Sequence, residues 1–478
     1  SPSRGLGDVY KRQIFMFNLV QHRKPSKKEA VISILIVFFI LGFPMIAIRD
    51  MVPHIPILLA LICLIVYGRA RGISFDKMQD SMAESVHTSM GAIYLFFFIG
   101  ILVTALMISG AIPSLIYFGL NIISSKTFYL SSFLATAIIG IAIGSSLTTV
   151  ATLGVALMSI SNAFGLNPAI TAGAIVSGAF FGDKMSPLSD TTGIAASIVG
   201  IDLFDHIKNM MYTTIPAFIV SAIAFTLMSL GQDAASLDGI ESFRSSILAT
   251  GLVHPYSLLA FGVLILLSIR RIPAVLTLIY TSLASLLISK LHSSYSMGQL
   301  AKFFFDGFSM DGLSQDIGSL VSRGGISSMF FTMTIVILAL SLGGLLFGLG
   351  IIPSILNSLN QVLDSPSRVS ICVVATALGV NLIVGEQYLS ILLAGKTFKP
   401  IYDQLGLHPK NLSRTLEDSG TVINPLVPWG VCGAFSTSML GVATLAYLPF
   451  AIFCYTSLIL TVIVGLTGLT MTRSDVLP

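Results

Sequence analysis

The chain has 478 residues, of which 54% are hydrophobic and 10% charged, whereas a soluble protein carries about 25% charged residues. So few charges cannot cover a water-exposed surface of this size, and a polytopic membrane protein in a lipid bilayer is predicted. The formal net charge of +4 gives no case for nucleic acid, and the four cysteines form no C-x-x-C pair. A zinc site and a disulfide framework are therefore excluded, and no cofactor is expected.

Apolar runs follow one another along the chain with little between them. In chain order they cover residues 31–48, 55–67, 92–109, 128–143, 168–181, 215–230, 252–269, 274–289, 329–349, 369–384 and 442–469. Several approach the roughly 20 residues that a helix needs to cross a bilayer. The stretches around 130–190 and 370–430 are interrupted by Gly, Pro, Ser and Thr. Because unsatisfied backbone cannot face lipid, we expect these stretches to be buried in protein or to line a wet cavity.

Short motifs recur once at an offset of 240 or 241 residues, which predicts two copies of one unit. Five pairs hold this register: Gly110 with Gly350, Ala135 with Ala375, Gly144 with Gly385, Pro168 with Pro409, and Pro187 with Pro428. The predicted organisation is an N-terminal cytoplasmic segment at 1–28, a first repeat at 29–230, a linker at 231–245 and a second repeat at 246–478. Residues 1–13 resemble nothing downstream and are treated as a candidate cloning scar.

Loop charges predict opposite orientations for the two copies. Basic residues precede the first apolar run and follow the second, which predicts a cytoplasmic N-terminus. The expected location is the inner (plasma) membrane of the cell. In the second half the basic pair Arg270-Arg271 lies between the two opening runs, and the preceding segment 232–244 is net acidic. We therefore expect an all-α polytopic membrane protein with two inverted-topology repeats, re-entrant hairpins and broken helices, the architecture of a secondary transporter.

The first segment with side chains suited to ion binding covers residues 179–192. It follows a small-residue stretch at 172–178 that favours close helix packing. Pro187 must break a helix here because it lacks an N–H and clashes with the preceding turn. The break frees carbonyl oxygens beside two carboxylates, Asp183 and Asp190, and such hard oxygens can replace the water around a small cation. The alternative is a polar loop at the membrane surface with Asp183 and Lys184 solvated.

The second copy contains a matching break at 417–430, where Asn424 stands at the position of Asp183. Two glycines, Gly144 and Gly385, interrupt apolar runs and predict the tips of re-entrant hairpins, against the alternative of ordinary loops between full spans. Glu386 is a functional candidate because a carboxylate amid apolar sequence is costly, the alternative being an ion pair with Lys396 or Lys399. Weaker candidates are Asp80, Glu84 and His87, which favour a solvated helix face, and Trp429, which favours packing.

The motif from Gly144 to Met158 and the segment from Ala172 to Thr192 resemble the NhaC-type sodium/proton antiporters, and the similarity extends from about residue 30 to the C-terminus. The resemblance implies a fold of inverted repeats with a moving transport domain. It also implies that residues 183–192 and the tip at Gly144 form one cation-binding region. The family includes a branch that couples malate uptake to lactate export.

Electrochemically driven antiport of Na⁺ against H⁺ is the expected function, because a carboxylate in a dry cavity binds either ion but not both. The predicted ligands are Asp183 and Asp190, with hydroxyls of Ser186, Thr192, Ser145 and Thr148, and, by internal symmetry, Glu386 and Asn424.

Three alternatives to simple antiport stay open. The first keeps Na⁺ and adds a small carboxylate such as malate or lactate, held by Ser145, Ser146 and Gln387 and by helix N-termini. The second is an intramembrane aspartyl protease, which Gly182-Asp183 supports only weakly, and the third is a channel. An enzyme is not expected. A homodimer is left open.

Overall fold

The computed structural model describes residues 20–48, 51–88, 90–122, 124–230, 237–310, 323–359 and 365–474. Within these ranges the regular structure is helical, apart from one isolated bridge between Leu407 and Arg473. The N-terminal stretch 1–19 and part of the predicted linker, 231–236, lie outside the described residues.

Ten helices occupy the described part of the first half. They are α1 (Lys27–Ala47), α2 (His54–Ala70), α3 (Phe75–Thr88), α4 (Met90–Ile108), α5 (Ala111–Ile122), α6 (Phe128–Ile143), α7 (Ser146–Ala163), α8 (Pro168–Met185), α9 (Asp190–Val199) and α10 (Leu203–Leu230). Helix α7 contains one wide π-helical stretch, Val150–Gly154.

The second half repeats this pattern of long helices and short breaks. Its described helices are α11 (Leu237–Ala249), α12 (Leu259–Ile269), α13 (Ala274–Ser289), α14 (Met297–Asp306), α15 (Ile326–Gly348), α16 (Ile351–Leu359), α17 (Pro366–Val384), α18 (Gln387–Gln404), α19 (Pro409–Gly420), α20 (Val431–Leu440), α21 (Thr444–Tyr447) and α22 (Ile452–Thr467).

Six helices of the described chain are long and apolar enough to cross a membrane, and eight spans result if each bent helix pair is one span. The outer face of α1 illustrates the surface: Leu35, Phe39, Phe43 and Ile46 are all exposed. Contiguous apolar surface of this kind is unstable in water and stable against lipid tails. The prediction of an all-α polytopic membrane protein is confirmed.

Left-handed glycines recur at matching positions of the two halves. Each of four pairs has φ between +62° and +79°: Gly110 with Gly350, Gly144 with Gly385, Gly165 with Gly406, and Gly200 with Gly441. Glycine adopts this conformation without the steric cost that a Cβ imposes, so these residues end helices at positions 240 or 241 residues apart. The repeat boundaries and the inverted relation of the halves remain predictions.

The small-residue stretch of α8 packs directly on α6. A Cβ added at Gly182 would lie 2.6 Å from the backbone of Gly140, and one at Gly178 would lie 2.3 Å from the carbonyl oxygen of Phe133. Only glycine permits helices to approach so closely, as in other membrane helix pairs. This contact fixes the end of α8, and therefore Asp183, beside the end of α6 and the tip at Gly144.

Aromatic side chains connect the two halves around the breaks. The Phe96 and Phe435 rings have centroids 5.4 Å apart, and those of Phe181 and Phe453 are 5.5 Å apart in an edge-to-face arrangement. Both pairs join a helix of the first half to a helix of the second. The polar breaks thus lie inside an apolar core that both halves build.

Candidate functional site

The first predicted break is present between α8 and α9. Helix α8 ends at Met185 and α9 begins at Asp190, with Ser186 in an extended conformation before Pro187. The Ser186 hydroxyl donates to the carbonyl of Ile141 at 2.8 Å, which ties the break to the end of α6. A Cβ added at Gly144 would lie 2.6 Å from the Cβ of Leu188, so the hairpin tip touches the break.

Asp183 is the carboxylate at the centre of this contact. Its side chain is 5% exposed, and its Oδ2 accepts a hydrogen bond from the Ser146 hydroxyl at 2.7 Å. Within the described chain no cationic side chain forms an ion pair with it. Asp183 therefore lies buried without a neutralising partner, and the alternative of a solvated surface loop is wrong.

The neighbouring Lys184 is fully buried and turns the opposite way. It forms an ion pair with Asp418 of α19, and its Nζ donates to the Ser457 hydroxyl at 3.0 Å. This pair joins the end of α8 to the second half of the chain. Lys184 is thus neutralised by Asp418 and does not neutralise Asp183.

The other hydroxyls of the first half that were predicted as ion ligands bond to backbone groups or to each other, not to Asp183. Ser145 caps α7: its Oγ accepts from the backbone N–H of Thr148 at 3.3 Å and from the Thr148 hydroxyl at 3.1 Å. The Thr192 hydroxyl donates to the carbonyl of Lys184 at 3.3 Å. These bonds fix the shape of the tip and of the break, and their role as ion ligands remains a prediction.

Asp190 is the first residue of α9. Its side chain is exposed. It lies within electrostatic range of Asp183. The N-terminal end of a helix favours negative charge, so α9 stabilises Asp190 without a cationic partner.

The second predicted tip is a turn at Gly385 between α17 and α18. The backbone turns at Gly385, whose carbonyl accepts from the N–H of Val431 at 2.8 Å, so this tip touches the second break. Glu386 is buried and caps α18, its Oε2 accepting from the N–H of Leu389 at 2.7 Å. In the described structure no ion pair joins it to Lys396 or Lys399, so that alternative is wrong.

Asn424 of the second break is hydrogen-bonded on both ends of its amide. Its Nδ2 donates to Asn381 Oδ1 at 2.7 Å and to the carbonyl of Gly385 at 3.0 Å. Its Oδ1 accepts from the N–H of Cys432 at 2.7 Å. The amide thus ties the second break to the second tip, and a role as an ion ligand remains a prediction.

Glu417 is a buried carboxylate that the sequence reasoning did not select. Its Oε1 accepts from the Thr191 hydroxyl of α9 at 2.9 Å, and it lies within electrostatic range of Asp183. Two more ionisable side chains are buried nearby, His206 and Arg414. The signal was available, because Glu417-Asp418 are adjacent acids in a long segment otherwise suited to a membrane interior.

The weaker candidates fall outside this region. Asp80 and His87 are exposed on α3, which agrees with a solvated helix face. Trp429 donates its indole N–H to the carbonyl of Leu382 at 2.6 Å and packs in the core, as predicted. No cluster of three or more His, Cys, Asp or Glu side chains suited to a metal ion occurs among the described residues.

Buried carboxylates at helix breaks inside a polytopic helical protein define the class of secondary membrane transporters. The sequence profile of the Na⁺/H⁺ antiporter family matches residues 178–469. The chain belongs to this family, which confirms the resemblance seen in its motifs.

Individual relatives cover most of the chain. It is 39% identical over 418 residues to the Na⁺/H⁺ antiporter NhaC of Alkalihalophilus pseudofirmus, covering 87% of this chain and 90% of that protein. It is 37% identical to NhaC of Bacillus subtilis, covering 86% and 92%. It is also 30% identical to the malate-2H⁺/Na⁺-lactate antiporter of Bacillus subtilis, covering 93% and 96%.

Proposed function

We propose that the protein exchanges Na⁺ for H⁺ across the inner (plasma) membrane, and that Asp183 binds the two ions in turn. The NhaC names of the relatives support the two ions. One observation assigns ion binding to Asp183. Its carboxylate is buried, accepts a hydrogen bond from the Ser146 hydroxyl, and has no cationic partner in the described chain. The basic residues before α1 favour a cytoplasmic N-terminus.

The side chains around the two breaks carry more negative than positive charge, which attracts cations. The acidic side chains around the breaks are Asp183, Asp190, Glu386, Glu417 and Asp418, and the basic ones are Lys184 and Arg414. Isolated buried charges are costly, so an excess of carboxylates in this core is stable only with bound cations or protons. The region therefore selects small cations over anions.

Exchange follows from competition at one carboxylate. A proton on Asp183 removes the charge that holds Na⁺, and a bound Na⁺ displaces the proton. The Ser146 hydroxyl can donate to the charged carboxylate or turn its oxygen toward a cation. If the carrier reorients only when this charge is neutralised, each Na⁺ carried one way is exchanged for a proton carried the other way. A movement between the two halves gives alternating access.

Exchange with an organic acid is the second candidate, and the malate/lactate relative is the observation that favours it. A substrate carboxylate would use the helix N-termini at the two tips. Both are already occupied: Ser145 caps α7 with its hydroxyl, and Glu386 caps α18 with its carboxylate. Simple cation exchange therefore suits the site better.

A flux assay with reconstituted protein separates these functions. Vesicles with an imposed pH gradient receive Na⁺, K⁺, malate or lactate, and a pH-sensitive dye reports proton movement. We expect Na⁺ alone to collapse the gradient through the intact protein, and Asp183→Asn to be inactive. Asp80→Asn, which removes an exposed carboxylate, is the matched control and retains activity.

Two outcomes of this assay contradict the proposal. A requirement for malate or lactate would replace simple antiport with organic acid exchange. Normal exchange by Asp183→Asn would show that another group carries the ion.

A further inference from the structure

Two adjacent acidic residues of α19, Glu417 and Asp418, are equally buried but differently bonded. Both side chains are inaccessible to water. Asp418 Oδ1 accepts from Lys184 and, at 2.6 Å, from the Ser457 hydroxyl, and its Oδ2 accepts from the hydroxyls of Thr213 and Thr461. Every strong bond that a carboxylate needs is therefore present at Asp418, which acts as a structural ion-pair partner.

Glu417 lacks such a set of donors. Its Oε1 accepts from the Thr191 hydroxyl at 2.9 Å, and its Oε2 has no hydrogen-bond partner in the described structure. An ionised oxygen buried without a donor or counter-ion costs much of its solvation free energy. Since the nearby Lys184 is already paired with Asp418, Glu417 is stable there only with a bound proton or with a cation from outside the chain.

The oxygens around Glu417 are arranged as cation ligands. The Thr421 hydroxyl lies beside this carboxylate, and neither it nor Glu417 Oε2 makes a well-aligned hydrogen bond in the described chain. On the other side, Thr191 Oγ1 is 3.0 Å from the Ser189 hydroxyl, which in turn lies beside Asp183. Hydroxyls thus connect Glu417 of the second half to Asp183 of the first.

We propose that Glu417 is a cation-binding residue of the transport site and that Thr421 is its supporting ligand. Together they bind the transported monovalent cation from the second half, opposite Asp183. This inference rests on the proposed function, because it assigns further ligands to the same cation. A carboxylate and neutral hydroxyls suit a hard ion that prefers oxygen.

The arrangement also assigns a function to Thr191. Its hydroxyl donates to Glu417 Oε1 and orients the carboxylate, so that Oε2 is left for the ion. Thr191 is therefore a positioning residue at the start of α9, directly after the break that follows α8. A cation at Glu417 Oε2 would be held between the second half and the start of α9.

The test uses the purified full-length protein and its Glu417→Gln variant, with Glu241→Gln as the matched control on an exposed glutamate. Two quantities are measured: the Na⁺ concentration for half-maximal exchange in vesicles, and the Na⁺-dependent shift of the thermal unfolding midpoint. For Glu417→Gln we expect the half-maximal Na⁺ concentration to rise about tenfold or more. We expect its Na⁺-dependent midpoint shift to be lost, while its midpoint without Na⁺ is kept.

Thr421→Val distinguishes a ligand from a structural group. Because the Thr421 hydroxyl makes at most a weak bond to Glu417, its replacement by Val costs little stability, and we expect the unfolding midpoint without Na⁺ to be kept. A several-fold rise in the half-maximal Na⁺ concentration therefore supports a ligand role.

The outcomes separate the two hypotheses. If the intact protein exchanges Na⁺ and both variants retain its Na⁺ dependence, this inference is overturned while the proposed function stands. If the intact protein shows neither Na⁺ exchange nor a Na⁺-dependent midpoint shift, the proposed function itself fails.

Discussion

The two helix breaks occupy matching positions of the chain, yet their central side chains are bonded in opposite ways. Asp183 at the end of α8 accepts from the Ser146 hydroxyl and lies beside the Ser189 hydroxyl, while Asn424 of the second break uses its amide in three hydrogen bonds. A carboxylate can only accept hydrogen bonds, whereas an amide both donates and accepts. The first break therefore has capacity left for an ion, and the second is fixed as a scaffold.

The comparison shows that similar backbone bends need not carry similar chemistry. Both tips have a left-handed glycine and both touch their break, at Leu188 and at Gly430. In the second half the buried acids are Glu386 at the tip and Glu417 and Asp418 in α19, while the position that matches Asp183 holds the amide of Asn424. Internal symmetry thus predicts where the backbone bends more reliably than which side chains act there.

The largest expected effect is that of Asp418→Asn, which leaves Lys184 buried without its counter-ion. Loss of one partner of a buried pair costs about 3–5 kcal/mol, so we expect a marked fall in folded protein and in the thermal unfolding midpoint. Combining it with Lys184→Met removes both charges and is expected to recover part of the loss. An Asp418→Asn protein as stable as the intact one would show that this pair does not hold the halves together.

A smaller effect is expected for Asn424→Asp, which tests the scaffold role of the second break. The carboxylate loses both donor bonds and faces the oxygens of Asn381 and Gly385, at a cost of about 2–4 kcal/mol. The reciprocal change Asp183→Asn keeps an acceptor for Ser146 and is expected to abolish exchange without loss of thermal stability. Equal stability losses in the two variants would remove the distinction between the breaks.

The smallest of the three effects is that of Gly144→Ala at the first tip. Its φ of +70° costs about 1 kcal/mol for alanine, and the added Cβ would lie 2.6 Å from Leu188. We expect about 2 kcal/mol of destabilisation and slower exchange. Gly165→Ala has the same backbone strain at φ +65° with open space around it, so it should lose about half as much stability and retain exchange.

Much of the fold could be predicted because its causes are local. Apolar run length predicts the spans, Pro187 predicts the first break, and glycine predicts the tips at 144 and 385. Close packing of α8 on a neighbour also follows from its small residues, but only the structure shows that the neighbour is α6. The orientation of the two halves in a membrane depends on loop charge and stays a prediction.

The site was harder to predict because it depends on partners far apart in the chain. Lys184 and Asp418 are 234 residues apart, which is far longer than any local motif. Only the fold brings them together. The same holds for Thr191 and Glu417, at a separation of 226. Sequence alone shows that Glu417 and Asp418 are unusual, but it cannot show that one is fully bonded and the other is not.

Proton release on Na⁺ binding tests the central claim most directly, because it requires no membrane and no gradient. Purified protein in weakly buffered detergent solution is mixed with Na⁺, and the pH change is recorded for the intact protein and for Asp183→Asn. If both ions compete for this carboxylate, Na⁺ releases protons from the intact protein and none from the variant. Equal proton release from both proteins would contradict the account.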